Sequence, residues 1–140
     1  MKILVIHGPN MPLLGKVSIK SGTRLTLDKL DKTIRKEANI AGVEVKIIQF
    51  CDEEHILKTI RRNRNEISGI LLNPGPLSLT AFSLRELLGI LQIPTAEVCI
   101  EEFPFSNETF SQSVLKDVVT TRFIGPGVEP YLHGLNSLLK

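Results

Sequence analysis

The chain begins with four apolar residues, Ile3 to Ile6, and the run stops at His7-Gly8-Pro9. A short apolar run closed by turn residues predicts a buried strand. Runs of the same kind recur at 43–50, 69–73, 95–100 and 118–124. Between them the apolar spacing changes. Leu27, Leu30, Ile34 and Ala38 follow helical spacing, as do Ile56, Leu57 and Ile60. Thr26 stands where a helix N-cap belongs, with Asp28 in the first turn. The segment 80–92 is nearly apolar and predicts a helix packed on both sides. Tyr131, Leu132, Leu135, Leu138 and Leu139 give a last helix one apolar face.

Strands alternating with helices predict an α/β fold: a parallel sheet between two helical layers, joined by right-handed crossovers. No repeat, linker or low-complexity stretch interrupts the pattern, and residues 1–140 read as a single domain. In such sheets ligands bind at the carboxyl ends of the strands. Those ends carry His7-Gly8-Pro9-Asn10, Gln49-Phe50-Cys51, Asn73-Pro74-Gly75, Glu97-Val98-Cys99 and Gly125-Pro126-Gly127.

Composition narrows the function classes. A net charge of +2 is too small to imply nucleic acid, and the basic cluster at 58–64 reads as a solvated helix face. No apolar run reaches membrane-spanning length, and the initial apolar run reads as a strand rather than a secretory signal. Two distant cysteines, Cys51 and Cys99, suit a reduced, cytoplasmic protein. Without GxGxxG after the first strand, without GxxxxGK[ST] and without metal-ligand spacing, no nucleotide cofactor and no metal are expected.

The string HGPNMPLLG at 7–15, together with ILLNPG at 70–75, resembles the type II 3-dehydroquinate dehydratases. TLDKL, VEVKIIQ, SLRELL, AEV and GPGVEPY continue the resemblance in the same order over nearly the whole chain. It implies a flavodoxin-like three-layer sandwich with strand order 2-1-3-4-5 and a homo-oligomer, a trimer or a dodecamer of four trimers. It also implies a small anionic polyhydroxy carbocycle as ligand. With that strand order, Cys51 and Cys99 end strands three steps apart, about 14 Å, beyond disulfide reach.

Members of that family remove water from 3-dehydroquinate. A tyrosinate beside an arginine takes the proton α to the ketone, and a histidine protonates the departing hydroxyl. A phenol with a pKa of about 10 needs a neighbouring cation to serve as a base at neutral pH. By the resemblance, Asn10 helps to hold the enolate-stabilising water, Asn73 binds substrate hydroxyls, Glu97 orients the acid residue, and Arg85 matches an arginine of the following helix. The substrate-binding set it implies is Asn73, Ile100, Glu101 and Arg85, and Arg24 of the lid is added as a cation that could approach an anionic ligand.

The reacting groups differ. The lid arginine position is Val17, the lid tyrosine position is Gly22 or Ser21, and the acid histidine position is Cys99. The histidine after the Asn-Pro-Gly turn is Leu79, and the arginine-bearing run that grips the substrate carboxylate reads PFSNETF. The one tyrosine, Tyr131, matches a tyrosine of the last helix, remote from the site.

Bland readings stand beside sharp ones. Cys99 reads as a small buried apolar residue or as a substitute acid. His7 reads as a hydrogen-bonded strand-end residue or as a relocated acid or base. Lys16, Lys20 and Arg24 read as solvated charge or as anion-binding groups, and His55 and His133 as surface residues. Two functions follow: a degenerate dehydratase that binds or assembles, or a working dehydratase with substitute groups on a rearranged lid. Arg24 beside Asn10 and Asn73 would favour the second; an apolar pocket closed by Leu79, Phe103 and Phe105 would favour the first.

Overall fold

The computed structural model describes residues 1–140, the side chain of Ser21 excepted. Five strands, β1 (Lys2–His7), β2 (Glu44–Gln49), β3 (Gly69–Asn73), β4 (Thr95–Ile100) and β5 (Thr121–Gly125), form one parallel sheet in the order β2-β1-β3-β4-β5. This is the flavodoxin-like order. His7 registers with Gln49 on one side and with Asn73 on the other, so these strand ends meet at one edge.

Strand periodicity divides the core. Ile3 and Val5 face α2 (Leu27–Ile40) and α6 (Glu129–Leu138), together with Leu71, Val98 and Ile100. Leu4 and Ile6 face α3 (Glu53–Asn63) and α4 (Phe82–Leu91), together with Ile70 and Leu72. All nine of these strand residues are fully buried, as a parallel sheet covered on both faces requires. Truncating any one of them to alanine is worth roughly 1–4 kcal/mol.

The helices start where the sequence places their caps. The Thr26 hydroxyl accepts the Lys29 N–H at 3.2 Å, and the Asp52 carboxylate accepts the His55 N–H at 2.9 Å. That bond and the His55 ring hold the Asp52 carboxyl below its ordinary range. Glu53 reaches across to take the Leu84 N–H at 2.9 Å, tying α3 to the start of α4. Lys58, Arg61, Arg62 and Arg64 lie on the exposed side of α3, and Lys58 pairs with Glu54 at 3.1 Å.

Two expectations need correction. α4 is packed on one side only: Leu84 and Leu88 enter the core, whereas Phe82 and Ile90 are 62% and 69% exposed. The last strand begins at Thr121, not at 118. Val118 and Val119 leave the strand line to pack against the α3/α4 core, and a turn ends with the Thr120 N–H on the Thr95 carbonyl. Among the described residues, no helix is long and apolar enough to cross a membrane.

Candidate functional site

A cavity of about 260 Å³ opens at the carboxyl ends of β1, β3 and β4. Residues 8–11 form one wall, Asn73, Gly75 and Pro76 another, and residues 99–100, 103–106 and Thr109 the third. Gly8 allows the first two walls to touch. A Cβ there would lie 2.7 Å from the carbonyl oxygens of both Asn73 and Pro74, which are backbone atoms and cannot yield. Ser106 and Thr109 come from α5 (Ser106–Ser111), a six-residue helix too short to reveal itself by apolar spacing.

Four of the expected residues meet in the cavity: Asn10, Asn73, Cys99 and Ile100. Asn73 is held by its own turn, its Oδ1 accepting the Gly75 N–H at 3.2 Å while its Nδ2 donates to Met11 Sδ at 3.2 Å. Cys99 is buried and its thiol is directed at the Ser106 carbonyl, 3.8 Å away. Burial, with the Glu97 charge adding to it, pushes that thiol up to about 11, so it stays protonated at neutral pH.

Glu97 lies at the edge of a smaller adjoining cavity that also touches Cys99. Its carboxylate is already engaged, accepting the Ser113 hydroxyl at 2.6 Å and the Arg122 Nε–H at 2.8 Å. Arg122 also donates to the Phe110 carbonyl, with its guanidinium 3.9 Å above the Phe110 ring. A buried acid is therefore neutralised from the neighbouring strand, and no hydrogen bond joins it to Cys99 among the described residues. Sequence reading missed Arg122 because it lies one strand over, though the register Glu97 to Arg122 places it directly opposite.

The other expected residues stay away from the cavity. Arg85 pairs with Asp117 at 2.6 Å on the surface, Glu101 is exposed, and Arg24 lies beside Gly15 with its side chain in solvent. None of the three lines the pocket, because each has water or another partner available outside it. Leu79 is also absent from the lining; Pro76 stands there instead, with Phe103 and Phe105 across the mouth.

The lid segment carries the positions that the resemblance assigns to the arginine and the tyrosine. It folds into α1 (Leu14–Val17) and a 3₁₀ turn at Ser18–Ser21. The Ser18 hydroxyl donates to the Leu25 carbonyl at 2.9 Å and accepts the Leu25 N–H at 2.8 Å, closing the segment on itself. Val17 packs against the α2/α6 core. Gly22 adopts φ +88°, a left-handed conformation that disfavours a side chain, and a Cβ there would meet nothing within 4 Å.

His7 follows Ile3 and Val5 onto the α2/α6 face, where it bonds Tyr131 and Asp31 rather than the cavity. The strand-end reading of His7 holds. Burial pushes the Tyr131 hydroxyl well above its ordinary value. Among the described residues no group of three or more His, Cys, Asp or Glu could hold a metal ion.

Comparison with known proteins agrees with this geometry. The chain is 33% identical over 138 residues to a 3-dehydroquinate dehydratase of Halothermothrix orenii, covering 99% of this chain and 93% of that one. A 3-dehydroquinate dehydratase of Thermotoga neapolitana is 31% identical over 140 residues, covering 100% and 95%. The crystal structure of a type II dehydroquinase from Butyrivibrio crossotus superposes with a TM-score of 0.88 at 27% identity, covering 100% of this chain and 98% of that one. The sequence model of class II dehydroquinases matches residues 1–139, and this chain belongs to that family.

Proposed function

We propose that this family member has lost the dehydration of 3-dehydroquinate and keeps the strand-end pocket as a binding site for a small cyclic molecule. One observation carries the reading: no tyrosine, histidine, arginine or lysine lines the pocket among the described residues. Proton removal α to a ketone needs a base, and departure of hydroxide needs an acid. Cys99, with its thiol at about 11, is a far weaker acid than an imidazolium at neutral pH. Each general acid or base contributes about 10²–10⁴-fold, and groups that act together fail together.

Asn10, Asn73, Ile100 and Cys99 are then ligand contacts, and Glu97 supports the wall beneath Cys99 through Ser113 and Arg122. The chain self-associates as a trimer or dodecamer, a reading supported by the exposed Phe82 and Ile90 of α4. Two free cysteines suit a cytoplasmic setting.

The test is to mix folded protein with 3-dehydroquinate and follow the ultraviolet absorbance of the conjugated enone, with an intact family member as control. The expected rate is at least about a thousandfold below the control. Saturable turnover near the control would overturn the reading.

A further inference from the structure

We infer that the strand-end cavity selects an uncharged aromatic molecule of one or two rings that carries an O–H or N–H donor. The inference rests on the binding reading above and names the ligand class of the same site. Size comes first. An apolar cavity of about 150 Å³ encloses benzene, and this one measures about 260 Å³, enough for a substituted ring or a fused pair. Its walls suit such a shape. Pro9, Met11, Pro76, Phe103 and Phe105 offer flat or polarizable surfaces against which an aromatic face packs.

Charge comes second. The lining holds no Asp, Glu, Lys, Arg or His among the described residues. The nearest buried charge, Glu97, is matched by Arg122 at 2.8 Å and has none to spare for a ligand. A carboxylate entering the cavity would lose its water and gain no cation, so an anion is selected against.

The direction of the hydrogen bonds completes the specification. The Ser106 hydroxyl donates to the Glu101 carbonyl at 2.8 Å, and the Thr109 hydroxyl donates to the Ser106 carbonyl at 3.1 Å. Both have given up their only proton to the protein, so what each has left to offer a ligand is an acceptor. A ligand facing them must donate. At the rim, Asn10 makes no capping bond to the turn it precedes, which leaves its amide for a second polar group.

Indole and its relatives test each element separately. The chain contains no tryptophan, so indole fluorescence reports its own binding. Indole is expected to saturate one site per chain, and both N-methylindole, which lacks the donor, and indole-3-carboxylate, which adds the anion, to bind at least about tenfold more weakly. Phe105→Ala, at a side chain 72% exposed and so safe for folding, is expected to weaken indole several-fold. Equal binding of either analogue, indifference to Phe105→Ala, or no saturable indole binding by folded protein would overturn the inference. The two readings fail separately. Turnover of 3-dehydroquinate sinks the loss of dehydration whatever indole does, whereas no turnover together with no indole binding sinks the ligand class alone.

Discussion

The Nδ1 of His7, at the end of β1, lies 2.8 Å from the hydroxyl of Tyr131 in α6, and both side chains are excluded from solvent. On the other side of the ring, Nε2 lies 2.6 Å from the Asp31 carboxylate of α2. An ionised carboxylate only accepts, so Nε2 carries a proton, and in the neutral ring Nδ1 accepts the Tyr131 O–H. One strand end is thereby fastened to both helices on that face of the sheet.

Removing the Tyr131 hydroxyl should therefore leave a buried imidazole nitrogen without its partner. Tyr131→Phe is expected to destabilise the protein by about 1–3 kcal/mol, measured by urea unfolding, although the ring and its packing remain. A change below about 0.5 kcal/mol would mean that His7 finds another partner there.

Arg122 should matter more for stability than its part-exposed position suggests. Glu97 is 1% exposed, and Arg122→Met would strand that carboxylate with the Ser113 hydroxyl alone. The expected loss is about 3–5 kcal/mol. Glu97→Gln in the same Arg122→Met background should recover part of it, because the uncompensated charge goes. Lack of recovery in the double variant would show that Arg122 acts through Phe110 instead.

Much of this fold could be read from the sequence because its core is written in local periodicity. Ile3 and Val5 alternate with Leu4 and Ile6, and Leu30, Ile34 and Ala38 recur at helical spacing; both patterns appear in the buried set. The Asn73-Pro74-Gly75 turn and the Gly8-Pro9 turn marked the cavity through the strand-end rule. What stayed hidden is non-local or very short. Tyr131 looked like one apolar position of a terminal helix, because its partner His7 is 124 residues away. The PFSNETF stretch gave no sign that Ser106 and Thr109 of a six-residue helix would line the pocket. α4 misled in the opposite direction, since an apolar sequence does not say which side of a helix finds cover.

Alkaline pH should expose the burial of Cys99. Its pKa rises from an ordinary 9.0 to about 11 in the folded chain. Below pH 9 both folded and unfolded states hold the proton. Between these values the unfolded chain releases it while the folded chain does not, so stability falls as pH rises. The full interval is worth about 3 kcal/mol. Tyr131, also raised, extends the loss to higher pH. Urea midpoints for wild type and Cys99→Ala should keep a constant separation below pH 9, and wild type should lose stability relative to the variant as pH approaches 11; parallel profiles throughout would place the alkaline loss elsewhere.

Installing the residue types that the family resemblance assigns to the reacting positions should not confer turnover. The triple variant Val17→Arg, Gly22→Tyr, Cys99→His supplies the residue types that the family resemblance assigns to these positions. Position 17, however, packs against the α2/α6 core, where a guanidinium would displace apolar contacts and be poorly solvated. A tyrosine at position 22 would be held at φ +88°, a left-handed conformation that side chains rarely adopt. The Ser18 to Leu25 bonds hold the lid in that shape. The variant is expected to lose about 2 kcal/mol or more of stability and to show no saturable turnover of 3-dehydroquinate. Turnover within a hundredfold of an intact relative would show that the lid rearranges readily and that the packing of Val17 does not hold it.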